Sequence, residues 1–111
     1  MANSGDEDDY QHECWTAIDE CRSLTPPYHP AAWIAMVERW GAAEAARRVV
    51  SRGDIQEGFQ RLIDAGRPDL TVEWSMLSPR WRGLFDAGHR DAAQWRLRQA
   101  GVDVSEASAR I

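Results

Sequence analysis

Gly66-Arg67-Pro68-Asp69-Leu70-Thr71-Val72-Glu73-Trp74-Ser75-Met76-Leu77-Ser78-Pro79-Arg80-Trp81-Arg82-Gly83-Leu84-Phe85 is the stretch that decides the fold. Its helix signals follow one another too closely for any long element. Gly66 closes one helix, and Thr71 is a good N-cap for a short helix over 72–77. Glu73 falls in that helix's first turn, at the positive end of its dipole. Ser78-Pro79 signals another start, because proline lacks only a donor that the first turn leaves unused. Trp81, Leu84 and Phe85 then recur at helical spacing and are expected in the core. Strict alternation of apolar and polar residues is absent, so no strand is expected.

The same grammar extends in both directions. Upstream, Tyr10, Cys14, Ala17, Ile18 and Cys21 line one stripe of a first helix over 9–23, with Trp15 at its edge. Three prolines in Thr25-Pro26-Pro27-Tyr28-His29-Pro30 exclude helix there. A second helix starts near Pro30 with Trp33, Met36, Val37 and Trp40 on its apolar face, and Gly41 ends it. A third, about 42–51, is alanine-rich, so a neighbouring helix can come close. A fourth carries Ile55, Phe59, Leu62 and Ile63, with Asp54 and Glu57 as a capping pair. Gly58 inside it costs up to about 1 kcal/mol of helix propensity, which points to tight packing against the alanine-rich helix. Downstream, Asp86 caps a last helix over about 87–100 that packs through Ala93, Leu97 and Ala100. The expected fold class is all-α: a compact irregular array of six or seven short helices. Residues 1–8 form a disordered acidic leader, 9–101 one helical domain, and 102–111 a loose tail. Trp33, Phe59, Trp81 and Phe85 are the expected core aromatics.

Composition limits the function classes. At 111 residues, 43% hydrophobic and with six tryptophans, the chain can bury a core without a metal or disulfide. No window approaches the ~18 apolar residues of a membrane span. Met1-Ala2-Asn3-Ser4 followed by acids is the opposite of a signal peptide, which predicts a cytoplasmic protein. Cys14 and Cys21 sit two helical turns apart, roughly 10 Å, too far for a disulfide. They read as reduced packing thiols.

No constellation spells out catalysis or a cofactor. His12 and Cys14 point to different sides of a helix, His29 and His89 are isolated, and no ligand pair has zinc spacing. No nucleophile sits in a motif with a base, and the glycines match neither a phosphate loop nor a dinucleotide fingerprint. The chain is therefore expected to be a non-enzyme without metal or cofactor.

Net charge is −5, unevenly spread. Residues 1–21 hold Asp6, Glu7, Asp8, Asp9, Glu13, Asp19 and Glu20 and no base, while every base in the chain is arginine. Arg80, Arg82, Arg90, Arg96 and Arg98 cluster with Trp81 and Trp95, a pattern that can grip phosphate and stack bases. A pI near 5.1 is far below the basic footprint of a nucleic-acid binder. That reading, a helical regulator using the 80–98 segment, is therefore the alternative. The preferred reading is a protein-interaction module: an adaptor, inhibitor or assembly factor, or a self-associating chain. Its expected binding residues are Trp95, Trp74, Trp15, Arg98 and Arg82, because the three tryptophans sit off the core stripes and Trp and Arg are enriched at interface hot spots. Trp95 is the sharpest case, lying on the far side of its helix from Ala93, Leu97 and Ala100. The acidic leader could also mimic nucleic acid toward a basic partner.

From residue 28 to about 100 the chain resembles a family of small bacterial domains of uncharacterised function, found alone or at the C-terminus of larger proteins. The resemblance rests on Tyr28-x-Pro30-x-x-Trp33-x-x-Met36, on Gly41 with Ala45-Ala46 and Val49, and on Gly58-Phe59-x-x-Leu62. It continues through Gly66-Arg67-x-Asp69-Leu70-Thr71-Val72-Glu73, the most specific run, to Pro79-x-Trp81-x-x-Leu84-Phe85 and Ala93-x-x-Arg96-Leu97. It implies a helical fold and a bacterial or phage source, and it brings no activity. Trp74 stands where similar sequences usually have alanine, and Trp95 where they usually have a charge. The acidic first helix lies outside the match.

Overall fold

The alanine-rich segment explains the architecture. In the computed structural model, which describes residues 4–52 and 56–109, Ala42–Ser51 forms helix α3, and Ala42, Ala43, Ala45, Ala46, Val49 and Val50 are all buried. Side chains this small let helix axes approach closely, and α3 touches four other helices. These are α1 (Ser4–Cys21), α2 (Ala31–Trp40), α5 (Val72–Met76) and α6 (Ala87–Gln99). The remaining elements are α4 (Gln56–Asp64), a short α7 (Ser105–Ala109), and 3₁₀ turns at Pro68–Leu70 and Pro79–Leu84. Among the described residues there is no strand, and the fold is all-helical. The radius of gyration is 12.8 Å, close to the ~13 Å of a compact chain this long.

The core is aromatic on one side of α3. Tyr10 of α1 is fully buried and meets Trp81 and Phe85 edge-on, with ring centroids 5.4 and 5.3 Å away. Its hydroxyl shares a 2.7 Å hydrogen bond with Ser75 Oγ, so the polar end is satisfied. Arg47 of α3 donates from Nε and Nη2 to the Leu84 carbonyl at 3.0 and 2.8 Å, pinning the second 3₁₀ turn. Trp81 and Phe85 are core residues as expected; Trp33 is half-buried against the core, and Phe59 is only half-buried.

Local signals set the boundaries. Thr71 caps α5, its Oγ1 accepting from the Trp74 amide at 3.1 Å. Asp86 caps α6 through a reciprocal pair: its Oδ1 accepts from the His89 amide at 2.9 Å, and His89 Nδ1 accepts from the Asp86 amide at 3.3 Å. Gly66 ends α4 with φ +72°, and its amide and that of Arg67 bond back to the Ile63 and Leu62 carbonyls. That left-handed closure is natural only for glycine. Gly58 packs tightly, but not against α3: a Cβ there would stand 2.6 Å from the Tyr28 hydroxyl. The capping pair expected at Asp54 and Glu57, and Ile55, lie outside the residues whose side chains are described.

The two ends differ from the expected leader and tail. Helix α1 begins at Ser4, inside the stretch expected to be disordered. Asp6 and Glu7 fall in its first turn, where negative charge is favoured. Asp6 and Asp9 also pair with Arg80 at 3.2 and 2.8 Å, anchoring that end onto the 3₁₀ turn. Residues 1–3 lie outside the described residues. At the other end, Asp103 accepts from the Ser105 amide at 3.0 Å at the start of α7; Val104 just before that helix and Ala107 within it are buried. Residues 110 and 111 lie outside the described residues.

Candidate functional site

Helices α4 and α6 are separated by a groove of about 720 Å³. Phe59, Arg61 and Asp64 come from α4; Trp95, Arg96 and Gln99 come from α6. Trp95 is 64% exposed, the one large hydrophobic side chain so exposed among the described residues. Phe59, the half-buried aromatic of α4, lines the same groove. The site thus has an apolar floor shared by two aromatics and a rim of mixed charge.

The α6 wall is fixed from beneath. Ala93 and Leu97 are buried with no measurable exposure and hold the inner face. Arg96 turns inward and donates from Nη1 to Glu73 Oε2 at 2.9 Å, while its Nη2 bonds the Arg52 carbonyl at the end of α3. Glu73 is 2% exposed. Burial pushes its carboxyl above the usual carboxylate range, against the pull of Arg96. One guanidinium therefore ties α6, α5 and the end of α3 together, and its neighbour Trp95 is presented outward as a consequence. Sequence inspection missed this pair, placing Glu73 in a first turn and Arg96 in a basic cluster. It also missed the α4 wall, because the spacing of Phe59 is that of a core residue.

The five expected binding residues do not converge. Trp95 is in the groove, and Arg98 is exposed one turn along the same helix. Arg82 is exposed on the second 3₁₀ turn, away from the groove lining. Trp74 is not at the surface: it is 8% exposed. Its helix is only five residues long and is packed by α3, α6 and both 3₁₀ turns, which leaves it no fully exposed position. Trp15 is half-buried against the core.

The basic and aromatic segment is largely consumed internally. Arg80 is held by Asp6 and Asp9 and stacks on Trp81 at 4.2 Å. Trp81 donates from its indole Nε1 to Glu13 at 2.9 Å. Arg90 bonds the Phe85 carbonyl and Arg96 is paired with Glu73. Of the five, only Arg80 and Arg96 are in ion pairs among the described residues; Arg90 is held by the Phe85 and Arg82 carbonyls, and Arg82 and Arg98 are exposed.

Other chemistry is sparse. Among the described residues no three His, Cys, Asp or Glu side chains are grouped to hold a metal ion. No described helix is long and apolar enough to cross a membrane. Cys14 and Cys21 are free and buried; burial pushes the Cys14 thiol up to about 12 and raises Cys21 as well. No protein-family model, curated protein or solved structure matches the chain.

Proposed function

We propose that this protein is a non-catalytic interaction module that seats a partner protein segment in the groove between α4 and α6. The observation that carries the reading is Trp95, 64% exposed beside half-buried Phe59. An exposed tryptophan forgoes roughly 25 cal/mol for each Å² left in water, and tryptophan is among the residues most enriched at binding hot spots. The charge around it sets the partner's chemistry. Arg98 lies one turn from Trp95, and Arg61 lies on the opposite wall. Asp64, the acid of the groove, is engaged by Gln60 Nε2 at 2.7 Å. The fitting occupant is a segment with an apolar anchor flanked by acidic residues. An adaptor, inhibitor or assembly factor of bacterial or phage origin suits this reading, in line with the family resemblance of residues 28–100. The internal neutralisation of Arg80 and Arg96 favours protein over nucleic acid.

The test is affinity capture from a bacterial lysate by wild type and Trp95→Arg in parallel, with sedimentation velocity on the purified chain. A protein retained by wild type and lost by a well-folded variant is expected. Equal capture by both, or retention of nucleic acid by wild type alone, would sink the reading.

A further inference from the structure

A second hollow adjoins the groove along α4, sharing Phe59 and Arg61 with it, but is otherwise lined by different residues. It is a half-open hollow of about 420 Å³ between α1, α2, α3, α4 and α5. Ile18, Trp33, Val49, Leu62, Leu70 and Val72 form most of its wall. That volume is within the range of small-molecule sites, with room for about a dozen non-hydrogen atoms at the ~30 Å³ each that liquid water takes. Gly58 keeps the wall open where Tyr28 crosses α4, since a larger residue would collide with the Tyr28 hydroxyl.

The polar groups that reach the hollow are already spoken for. Thr71 Oγ1 donates to the Pro68 carbonyl at 2.7 Å and accepts from the Trp74 amide at 3.1 Å. Glu73 accepts from Arg96, so its charge is answered from behind the wall. Among the described residues no buried side-chain nitrogen or oxygen lacks a partner. Water needs two to four partners to settle in a cavity, and these walls offer few. The occupant that fits is apolar over most of its length.

One charge has no acidic partner among the described residues. Arg61 of α4 lines the hollow, lies 5.8 Å from the Tyr28 ring centroid, and bonds only the Pro26 carbonyl among the described residues. A guanidinium carries five N–H donors and suits carboxylates. We propose that this hollow binds a small lipophilic carboxylic acid, its apolar body between α1, α4 and α5 and its carboxylate at Arg61.

Decanoate and decanol, titrated into the ¹⁵N-labelled full chain, test this. Both should saturate one site, shifting the amides of Ala17, Gly58 and Val72. Decanoate should bind about 2–5-fold tighter than decanol, the increment of a partly exposed ion pair. Arg61→Gln should remove that difference, and Ala17→Phe, which projects a ring into the hollow, should abolish both. Should Ala17→Phe fail to fold, the wild-type shift map decides alone. Shifts centred on Trp95 and Gln99, no saturable binding, or an Arg61→Gln variant that keeps the preference would each overturn the proposal. Trp95 lines the groove and not the hollow, so Trp95→Arg should leave decanoate binding intact, and it is this variant, not Arg61→Gln at the shared wall, that tells the two sites apart.

Discussion

The guanidinium of Arg96 on α6 lies 2.9 Å from the carboxylate of Glu73 on α5, and both are nearly sealed from solvent. Breaking a buried pair leaves one charge stranded, which typically costs about 3–5 kcal/mol. Glu73→Ala and Arg96→Ala should each destabilise by that amount in denaturant unfolding. Replacing both with apolar residues, Glu73→Leu with Arg96→Met, should cost well under the sum of the single changes. Additive costs would show that the two side chains do not act as a pair.

Two tryptophans should behave oppositely. Trp95→Arg should shift stability by no more than about 0.5 kcal/mol, as surface changes usually do. Trp74→Ala, at a buried position, should cost about 3–5 kcal/mol. Thermal melts of the two variants side by side check both; a Trp95→Arg protein that unfolds early would place that ring in the core.

The thiols should be silent in the native state. Cys14 is held up at about 12 and Cys21 is raised, in each case mainly by burial. At pH 8 neither should react with a colorimetric disulfide reagent, and both should react once guanidinium unfolds the chain. Rapid native labelling of either would mean that α1 leaves its seat.

Acid should erase one cap. Asp86 lies below the usual carboxylate range, chiefly because the His89 amide bonds it. A carboxyl lowered in the folded state stabilises above its unfolded pKa, and that contribution is lost as pH falls through the folded value. Wild type should therefore melt above Asp86→Ala at neutral pH, and the gap should close on acidification below pH ~4. A gap that persisted at pH 2 would mean that the cap works without its charge.

What sequence reveals here follows the range of the interactions. Gly41, Thr71 and Asp86 act within a turn of themselves, so the limits of α2, α3, α5 and α6 were legible. The exposure of Trp95 was legible too, because helical periodicity alone puts it opposite Leu97. The start of α1 was not, since its anchor Arg80 lies 71 residues beyond Asp9. Nor was the burial of Trp74: periodicity assigns a free face to any helix, and a five-residue helix wedged among others has no fully exposed position. The α4 wall of the groove escaped because Phe59 has the pattern of a core residue and only its surroundings leave it half covered.

The smallness of α3 bears on how this protein can change. Ala45 and Ala46 have no exposed surface, and helices lean on them from several directions. Adding even one or two methyl groups there would force neighbours apart, at roughly 1–3 kcal/mol. Enlargement should therefore be as poorly tolerated at the centre of this domain as truncation is at Tyr10 or Phe85. Variation has room at the periphery instead, on the outward faces of α4 and α6, where a side chain can be exchanged without moving a helix axis.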